Sequence, residues 1–152
     1  MKNPNSIKIS VLSITDVMAT CAAIADAKLP NDAAEDSYSM LPVLLGTQGE
    51  RPVRTYMLEQ TISLALSIRK GQWKFLDHKG SGGNNYTRDG EWGMKPYAMK
   101  DTDPDAPGQL YNLATDPGER TNLYSKHPEI VKALKAQLDA FKASGRSAPL
   151  RD

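Results

Sequence analysis

Two short runs of alternating apolar and polar residues on either side of Lys70-Gly71 constrain the fold more than any other feature. The apolar positions of these runs are Leu64, Leu66, Ile68, Trp73 and Phe75. An alternation with a period of two is typical of β-strands, and glycine accommodates the positive φ of a tight hairpin turn. The pattern therefore predicts a hairpin. Short segments at Tyr56–Leu58 and Gln109–Leu113 would enlarge it to an antiparallel sheet of about four strands.

The clearest helix in the sequence is predicted at Pro128–Ala143. Pro128 suits the first helical position, and Glu129 favours the positive end of the helix dipole. One face carries an apolar stripe, and lysines line much of the rest. The stripe consists of Ile130, Val131, Leu134, Leu138 and Phe141. A helix of this kind packs on one face of a sheet, so we expect Leu134 and Leu138 to lie beneath the strands.

A second helix is predicted at Thr15–Ala27, where Ser13 or Thr15 could cap the first turn. Its apolar residues recur at steps of one, three and four, which places them on one face. They are Val17, Met18, Cys21, Ile24 and Ala25. We interpret Met18 and Cys21 as core positions and not as redox or nucleophilic groups, because nothing nearby in the sequence would activate the thiol. The elements together predict an α+β fold with an N-terminal helix, a small antiparallel sheet and a C-terminal helix on one face.

Composition excludes several classes of protein. The 152 residues suffice for one domain, and 19 Lys and Arg balance 18 Asp and Glu, so the basic stripe of a nucleic-acid binder is missing. No apolar run approaches the roughly 18 residues of a membrane helix. The single cysteine forbids an internal disulfide or a cysteine metal cage. Lys2 and Lys8 precede an apolar stretch at Ile9–Ala25, but Asp16 interrupts it, which favours a mature helix over a signal peptide.

The segment 77–108 lacks periodicity and is expected to form a long loop. Asp101, Asp103 and Asp105 are spaced like the start of a calcium loop, but Ala106 and Asn112 occupy the positions that require glycine and glutamate. We expect a solvated acidic loop, and weak calcium binding stays an alternative. The glycines within 80–83 lack the lysine and Ser/Thr that a phosphate loop needs.

The two histidines also argue against a complete enzyme. His78 follows a predicted strand, and His127 precedes a helix start. With one cysteine placed on an apolar stripe, they do not make a Ser/His/Asp or Cys/His set.

Several segments resemble, in order and spacing, the C-terminal region of the formylglycine-dependent sulfatases of the alkaline-phosphatase-like superfamily. The resemblance is strongest to bacterial arylsulfatases and N-acetylgalactosamine-6-sulfatase-like enzymes, and it covers about Ser10 to Gly145. The segments are S-I-T-D-V-M-A-T at Ser13–Thr20, Leu29-Pro30, D-S-Y-S-M-L-P-V-L-L-G at Asp36–Gly46, R-P-V-R at Arg51–Arg54, I-R-K-G-Q-W-K-F at Ile68–Phe75, Q-L-Y-N-L-A-T-D-P-G-E-R-T-N-L at Gln109–Leu123 and H-P-E-I-V-K-A-L at His127–Leu134.

The resemblance implies that the catalytic residues lie elsewhere. The family makes its formylglycine from Cys or Ser in a C/S-x-P-x-R motif, and its calcium ligands and catalytic Lys and His belong to a larger N-terminal domain. Cys21 is followed by Ala22 and Ala23, so it is not that nucleophile. We expect the chain to lack the motif, the metal site and any cofactor of its own, and to be inactive alone. Relatives carry a histidine pair and a serine near the substrate pocket where this chain has Glu59-Gln60-Thr61, so Gln60 and Thr61 are the candidate substrate-binding residues.

The resemblance also implies a domain organisation and a partner. We expect an unassigned extension at 1–12, a helix and linker at the edge of the catalytic domain at 13–50, the sulfatase C-terminal subdomain at 51–146 and a tail at 147–152. The chain would be a fragment, a split-gene product or a truncated gene, and its partner the missing catalytic domain or a second copy. Without that domain, the apolar face of the first helix and the strand edge at Tyr56–Leu58 would have no partner. The alternative is a freestanding interaction module. Relatives are often periplasmic or secreted, and the compartment of this chain stays open.

Overall fold

The computed structural model describes residues 11–50, 52–61, 64–80 and 100–151. They form two compact units, one made of residues up to Met57 together with those from Gly145 onward, the other of Leu58–Ser144. The elements in chain order are α1 (Asp16–Ile24), α2 (Leu41–Leu44), β1 (Tyr56–Gln60), β2 (Leu66–Lys70), β3 (Trp73–Leu76), β4 (Gln109–Asn112), a 3-10 helix (Tyr124–Lys126) and α3 (Pro128–Ser144). The predicted α+β class is confirmed. Within these residues no helix has the length and apolar character needed to cross a bilayer.

The four strands form one sheet in the order β1-β2-β3-β4. Antiparallel pairing places Ile68 opposite Phe75, and Phe75 opposite Leu110. These three side chains share one face of the sheet and are at most 1% exposed. Gly71 adopts φ +56° in the turn between β2 and β3, as the hairpin prediction requires. The alternation fails only at Leu64, which is 73% exposed and adopts φ +63° before β2 begins.

Helix α3 packs against β2 and β3. Leu134 and Leu138 are 3% and 0% exposed, as the apolar stripe predicts. Two lysines of this helix also bind the residue that follows β3: Lys135 Nζ lies 3.2 Å and Lys142 Nζ 2.9 Å from the carboxylate of Asp77. Apolar burial therefore holds the middle of the helix on the sheet, and ion pairs fix its exposed side.

The first unit has a polar core instead. Asp16, at the start of α1, is 2% exposed, and Thr20 and Ala19 are the other buried residues of that helix. Thr15 occupies the N-cap position of α1, as predicted, but its side chain makes no capping hydrogen bond. The carboxylate of Asp16 instead accepts the Ser13 N–H at 2.9 Å. The first helix is thus anchored by hydrogen bonds and not by its apolar stripe.

Candidate functional site

The predicted substrate-binding residues lie at the end of β1. Gln60 is exposed and Thr61 is half-buried. Thr61 closes the turn toward β2, since its N–H donates to the Ala65 carbonyl at 2.9 Å and its hydroxyl accepts the Ala65 N–H at 3.1 Å. Both hydrogen bonds give Thr61 a structural function in the turn. A role of Gln60 or Thr61 in substrate binding stays a prediction.

Beside them, a lysine bridges two carboxylates across the sheet. Lys74 Nζ lies 3.0 Å from Glu59 Oε2 and 2.8 Å from Glu119 Oε1, and the Ser67 hydroxyl donates to the same Glu59 oxygen at 3.2 Å. Burial alone would lower the pKa of Lys74, but the hydrogen bonds to Glu119 and Glu59 outweigh it and raise that pKa. Lys74 is therefore a charged structural bridge and a poor general base. Sequence patterns do not reveal this cluster, since its members are distant along the chain.

The acidic loop uses its carboxylates to organise itself. Asp101 accepts the Asp103 N–H at 2.9 Å, the Gln109 amide at 2.8 Å and the Asn122 amide at 3.2 Å. Burial would raise the pKa of Asp101, but these hydrogen bonds and the charge of Lys79 lower it overall. Within the described parts of the chain, no three His, Cys, Asp or Glu side chains converge as metal ligands. The glycines at 81–83 lie outside the described residues.

Each histidine has its own local surroundings. His78 Nδ1 lies 3.3 Å from the Lys79 carbonyl oxygen. The ring of His127 packs against Trp73 with centroids 5.1 Å apart, and its Nδ1 lies 3.5 Å from Glu129. Neither arrangement joins a histidine to a nucleophile, so the described residues do not assemble an acyl-transfer or sulfate-transfer site of this kind.

The best-formed polar centre is a buried ion pair in the first unit. Arg54 Nη2 lies 2.8 Å from Asp16 Oδ1, and both side chains are 2% exposed. The same carboxylate oxygen accepts the Tyr38 N–H at 3.0 Å, and Arg54 Nη2 also donates to the Asp36 carbonyl at 2.8 Å. The guanidinium lies 4.7 Å from the Tyr38 ring centroid. This network joins α1, the segment before α2 and the approach to β1, so its role is architectural.

Helix α1 turns its apolar face away from its own unit. Val17, Met18 and Ile24 are 57%, 55% and 63% exposed, and Cys21 is exposed as well. The interpretation of Met18 and Cys21 as core positions is therefore wrong. These exposures refer to the described residues, and the partner of this face stays a prediction. Large exposed apolar patches mark interaction surfaces in soluble proteins.

The carboxyl-terminal segment contradicts one expectation about the nucleophile motif. Ser147-Ala148-Pro149-Leu150-Arg151 has the C/S-x-P-x-R spacing, so the expectation that the chain lacks this pattern is wrong at the level of sequence. In the structure this segment is held by hydrogen bonds. The Ser147 N–H donates to the Asp36 carboxylate at 2.7 Å, and the Ser147 carbonyl accepts the Tyr38 hydroxyl at 2.5 Å. No metal-ligand cluster is found among the described residues.

Comparison with known proteins gives the chain a family. No protein-family model matches it. It is 35% identical over 133 residues to an N-acetylgalactosamine-6-O-sulfatase of Bacteroides thetaiotaomicron, a match that covers 88% of this chain and 24% of that protein. It is 32% identical over 154 residues to arylsulfatase A of Homo sapiens, covering 91% of this chain and 29% of the relative.

The fold leads to the same conclusion. A solved structure from work on the metabolism of multiple glycosaminoglycans by Bacteroides thetaiotaomicron superimposes with a TM-score of 0.59 at 31% identity, covering 84% of this chain and 24% of that one. The structure has an α+β fold in which one helix covers a small antiparallel sheet. The chain is homologous to a region of sulfatases, and this region spans 24% and 29% of the length of the first two relatives. The predicted sulfatase relationship is confirmed.

Proposed function

We propose that the chain acts as the C-terminal part of a sulfuric ester hydrolase that cleaves aryl sulfates or sulfated sugars, and that it is inactive without the catalytic region. The observation that carries the proposal is the match of 88% of the chain to 24% of an N-acetylgalactosamine-6-O-sulfatase. Cleavage of a sulfate ester develops negative charge, which metal ions and cationic groups must stabilise. The remaining length of such an enzyme is where those groups would lie.

Calcium and formylglycine belong, in this proposal, to the catalytic region. The carboxylates of Asp101 and Asp103 already accept hydrogen bonds from Gln109, Asn122 and Ser125. A calcium ion needs six to eight oxygen ligands, and the described part of the chain offers no cluster of three acidic or histidine ligands. The residues present therefore do not fit a calcium site, and we assign no catalytic step to this chain.

The activity test uses a chromogenic aryl sulfate with the purified chain. We expect no turnover above buffer, with or without added calcium. Ser147→Ala and Cys21→Ala are the matched variants. Ser147 stands at the first position of the S-x-P-x-R spacing, and Cys21 is the single cysteine of the chain. Turnover that Ser147→Ala abolishes would contradict the proposal and assign a nucleophile to this segment, and turnover that survives Cys21→Ala would contradict it as well.

The proposed partner is the catalytic region of a sulfatase, bound on the apolar face of α1. This face consists of Val17, Met18, Cys21 and Ile24. Its large residues point outward, whereas the helix buries Asp16, Ala19 and Thr20. A helix that buries its polar residues and exposes its large apolar ones is suited to a second apolar surface. The three quarters of the relatives that this chain does not match are the candidate source of that surface.

The binding test uses the Bacteroides N-acetylgalactosamine-6-O-sulfatase without the quarter that matches this chain. We expect a complex that Val17→Asp and Met18→Asp abolish. Leu64→Asp is the control, because Leu64 is equally apolar and 73% exposed but lies outside α1. Equal loss in the control would point to non-specific association.

The second candidate is a freestanding interaction module, or self-association through the same face. A monodisperse monomer by light scattering, without affinity for the catalytic region and without binding of an apolar dye, would favour the module. A dimer that Val17→Asp disrupts would favour self-association. The first result would remove the catalytic region as the partner.

A further inference from the structure

The segment Arg146–Arg151, which we name the strap, runs along residues 30–38 and is fastened there by hydrogen bonds. The Ala148 N–H donates to the Glu35 carbonyl at 2.9 Å, and the Ser147 N–H donates to the Asp36 carboxylate at 2.7 Å. Asn31 binds the other end of the strap reciprocally, accepting the Arg151 N–H at 2.7 Å and donating to its carbonyl at 3.1 Å. The strap thus has a defined register on its partner segment.

The side chain of Arg151 enters a cradle of backbone carbonyl oxygens. Its Nη1 donates to Pro30 at 3.1 Å and to Ala33 at 2.7 Å, and its Nη2 donates to Ala34 at 2.7 Å and to Ser37 at 3.4 Å. A guanidinium is planar and carries five donors in a fixed geometry, so it can satisfy several converging carbonyls at once. An ammonium group is a compact charge and cannot match the same four acceptors.

The backbone of the cradle is itself strained. Ala34 adopts φ +52°, a left-handed conformation that non-glycine residues rarely take. Its carbonyl accepts both the Ser37 N–H at 2.9 Å and the Arg151 guanidinium. Strain of this kind persists where surrounding contacts over-determine the conformation. The bound guanidinium is one such contact.

The strap buries little apolar surface. Ala148 is its one buried hydrophobic residue, and Leu150 is 70% exposed. It follows Gly145, which adopts φ +68° and has open space around its Cβ position. Segments held mainly by polar contacts, with few buried apolar groups, open at a lower free energy than the core. The strap is therefore detachable without unfolding α3 or the sheet.

We propose that residues 30–37 form a guanidinium-binding cradle, that Arg151 is its resident ligand, and that the strap works as a releasable clasp on the segment 30–38. Opening the clasp frees Tyr38, whose hydroxyl donates to the Ser147 carbonyl at 2.5 Å and whose N–H binds Asp16. The clasp thereby connects with the buried ion pair that anchors α1. This role also accounts for the arginine of the S-x-P-x-R spacing without any catalytic function.

The test is hydrogen exchange, resolved by residue, on the full chain. Arg151→Ala is expected to speed exchange of the Ser37, Ser147 and Ala148 amides on the order of 10- to 100-fold, because it removes charge-assisted hydrogen bonds. Arg151→Lys should fall between that variant and the unmodified chain. Arg120→Ala, at an exposed arginine outside the strap, should change none of these rates.

Two results would overturn the proposal. One is exchange in Arg151→Ala that matches Arg120→Ala, and the other is acceleration that is equally large in α3 and β3. The unmodified chain gives an independent check if the variant does not fold: in low concentrations of urea, the strap amides should exchange through a smaller opening than the α3 amides. Exchange of both sets with one common denaturant dependence would show that no separate clasp exists.

Discussion

Removing the buried carboxylate of Asp16 should destabilise the first unit severely. Asp16→Ala leaves the Arg54 guanidinium, 2% exposed, without its counter-ion. It also leaves the N–H groups of Ser13 and Tyr38 without the acceptor that they bind at 2.9 and 3.0 Å. Breaking a buried ion pair by removing one partner costs about 3–5 kcal/mol, and the lost hydrogen bonds of the two half-buried N–H groups add about 1 kcal/mol each. The total approaches the whole stability of a small domain, roughly 5–15 kcal/mol.

A substitution at Arg54 tests the coupling between the two charges of the pair. Arg54→Met removes the cation but leaves the carboxylate with its two N–H donors, so it should cost less than Asp16→Ala. The double variant removes both charges together, and its cost should fall short of the sum of the single costs by about 1–3 kcal/mol. Asp32→Ala is the control, because Asp32 is exposed in the same unit.

Unfolding in urea is monitored by hydrogen exchange of the backbone amides in α1 and in the segment 37–40. These regions report on the unit that contains the pair. An Asp16→Ala chain within about 0.5 kcal/mol of Asp32→Ala would refute the assignment of this pair as the anchor of α1. Additive single costs in the double variant would refute the coupling between the two charges.

Three further predictions concern the second unit. Leu138→Ala, at a site 0% exposed, should cost about 2–5 kcal/mol in thermal or urea unfolding, and an unchanged melting temperature would show that α3 is detached. Burial would raise the pKa of Asp77, but hydrogen bonds from Lys142 and Lys135 lower that pKa below its ordinary 3.8. The stabilisation from the Asp77 carboxylate should therefore be complete above pH 3.8 and fall as the pH drops through the lower pKa of the folded state. Asp77→Asn should remove this part of the dependence of stability on acid pH. Burial raises the pKa of Tyr111 above its ordinary 10.0, so stability should decline once the pH exceeds 10.0, and urea unfolding of Tyr111→Phe should show a smaller decline.

The sheet and α3 were predictable because their local patterns match their burial. Alternation around Gly71 and the stripe through Leu134 and Leu138 have the periods of the structures that they form. The error at Leu64 has a local cause. It lies inside an apparently regular alternation, but the Thr61 carbonyl accepts its N–H at 2.9 Å within a turn. A period-two pattern does not reveal that its first apolar residue belongs to a turn and not to the strand.

The polar anchor of α1 was not predictable in the same way. Asp16 interrupts an apolar stretch, and at the level of sequence this only disfavours a signal peptide. Its partner Arg54 lies 38 residues away, and single-sequence periodicity carries no information on such a pair. The orientation of α1 was misjudged for a related reason: an apolar stripe identifies a face that needs cover, but it does not say whether this chain provides the cover.

The strap was likewise assigned no role by the sequence. Its hydrogen bonds go mostly to backbone carbonyls, for which the sequence has no distinguishing residue type. The S-x-P-x-R spacing at Ser147–Arg151 is readable in the sequence. The structure places Arg151 against four backbone carbonyls, a contact that the spacing alone does not indicate.

The way α1 is held gives a last prediction, which depends on the proposed partner. Its orientation is fixed by polar contacts on the inner side: the Thr20 hydroxyl donates to the Asp16 carbonyl at 2.6 Å and accepts the Met40 N–H at 3.0 Å. The outward face is therefore already ordered before a partner binds, and pre-organisation reduces the free-energy cost of association. Thr20→Val keeps the volume but removes both hydrogen bonds, so α1 should exchange faster and bind the catalytic region about 5- to 30-fold more weakly, as expected for roughly 1–2 kcal/mol. Thr121→Val, at an exposed site, is the control. If Thr20→Val speeds hydrogen exchange in α1 but leaves the affinity unchanged, the order of this helix does not contribute to binding.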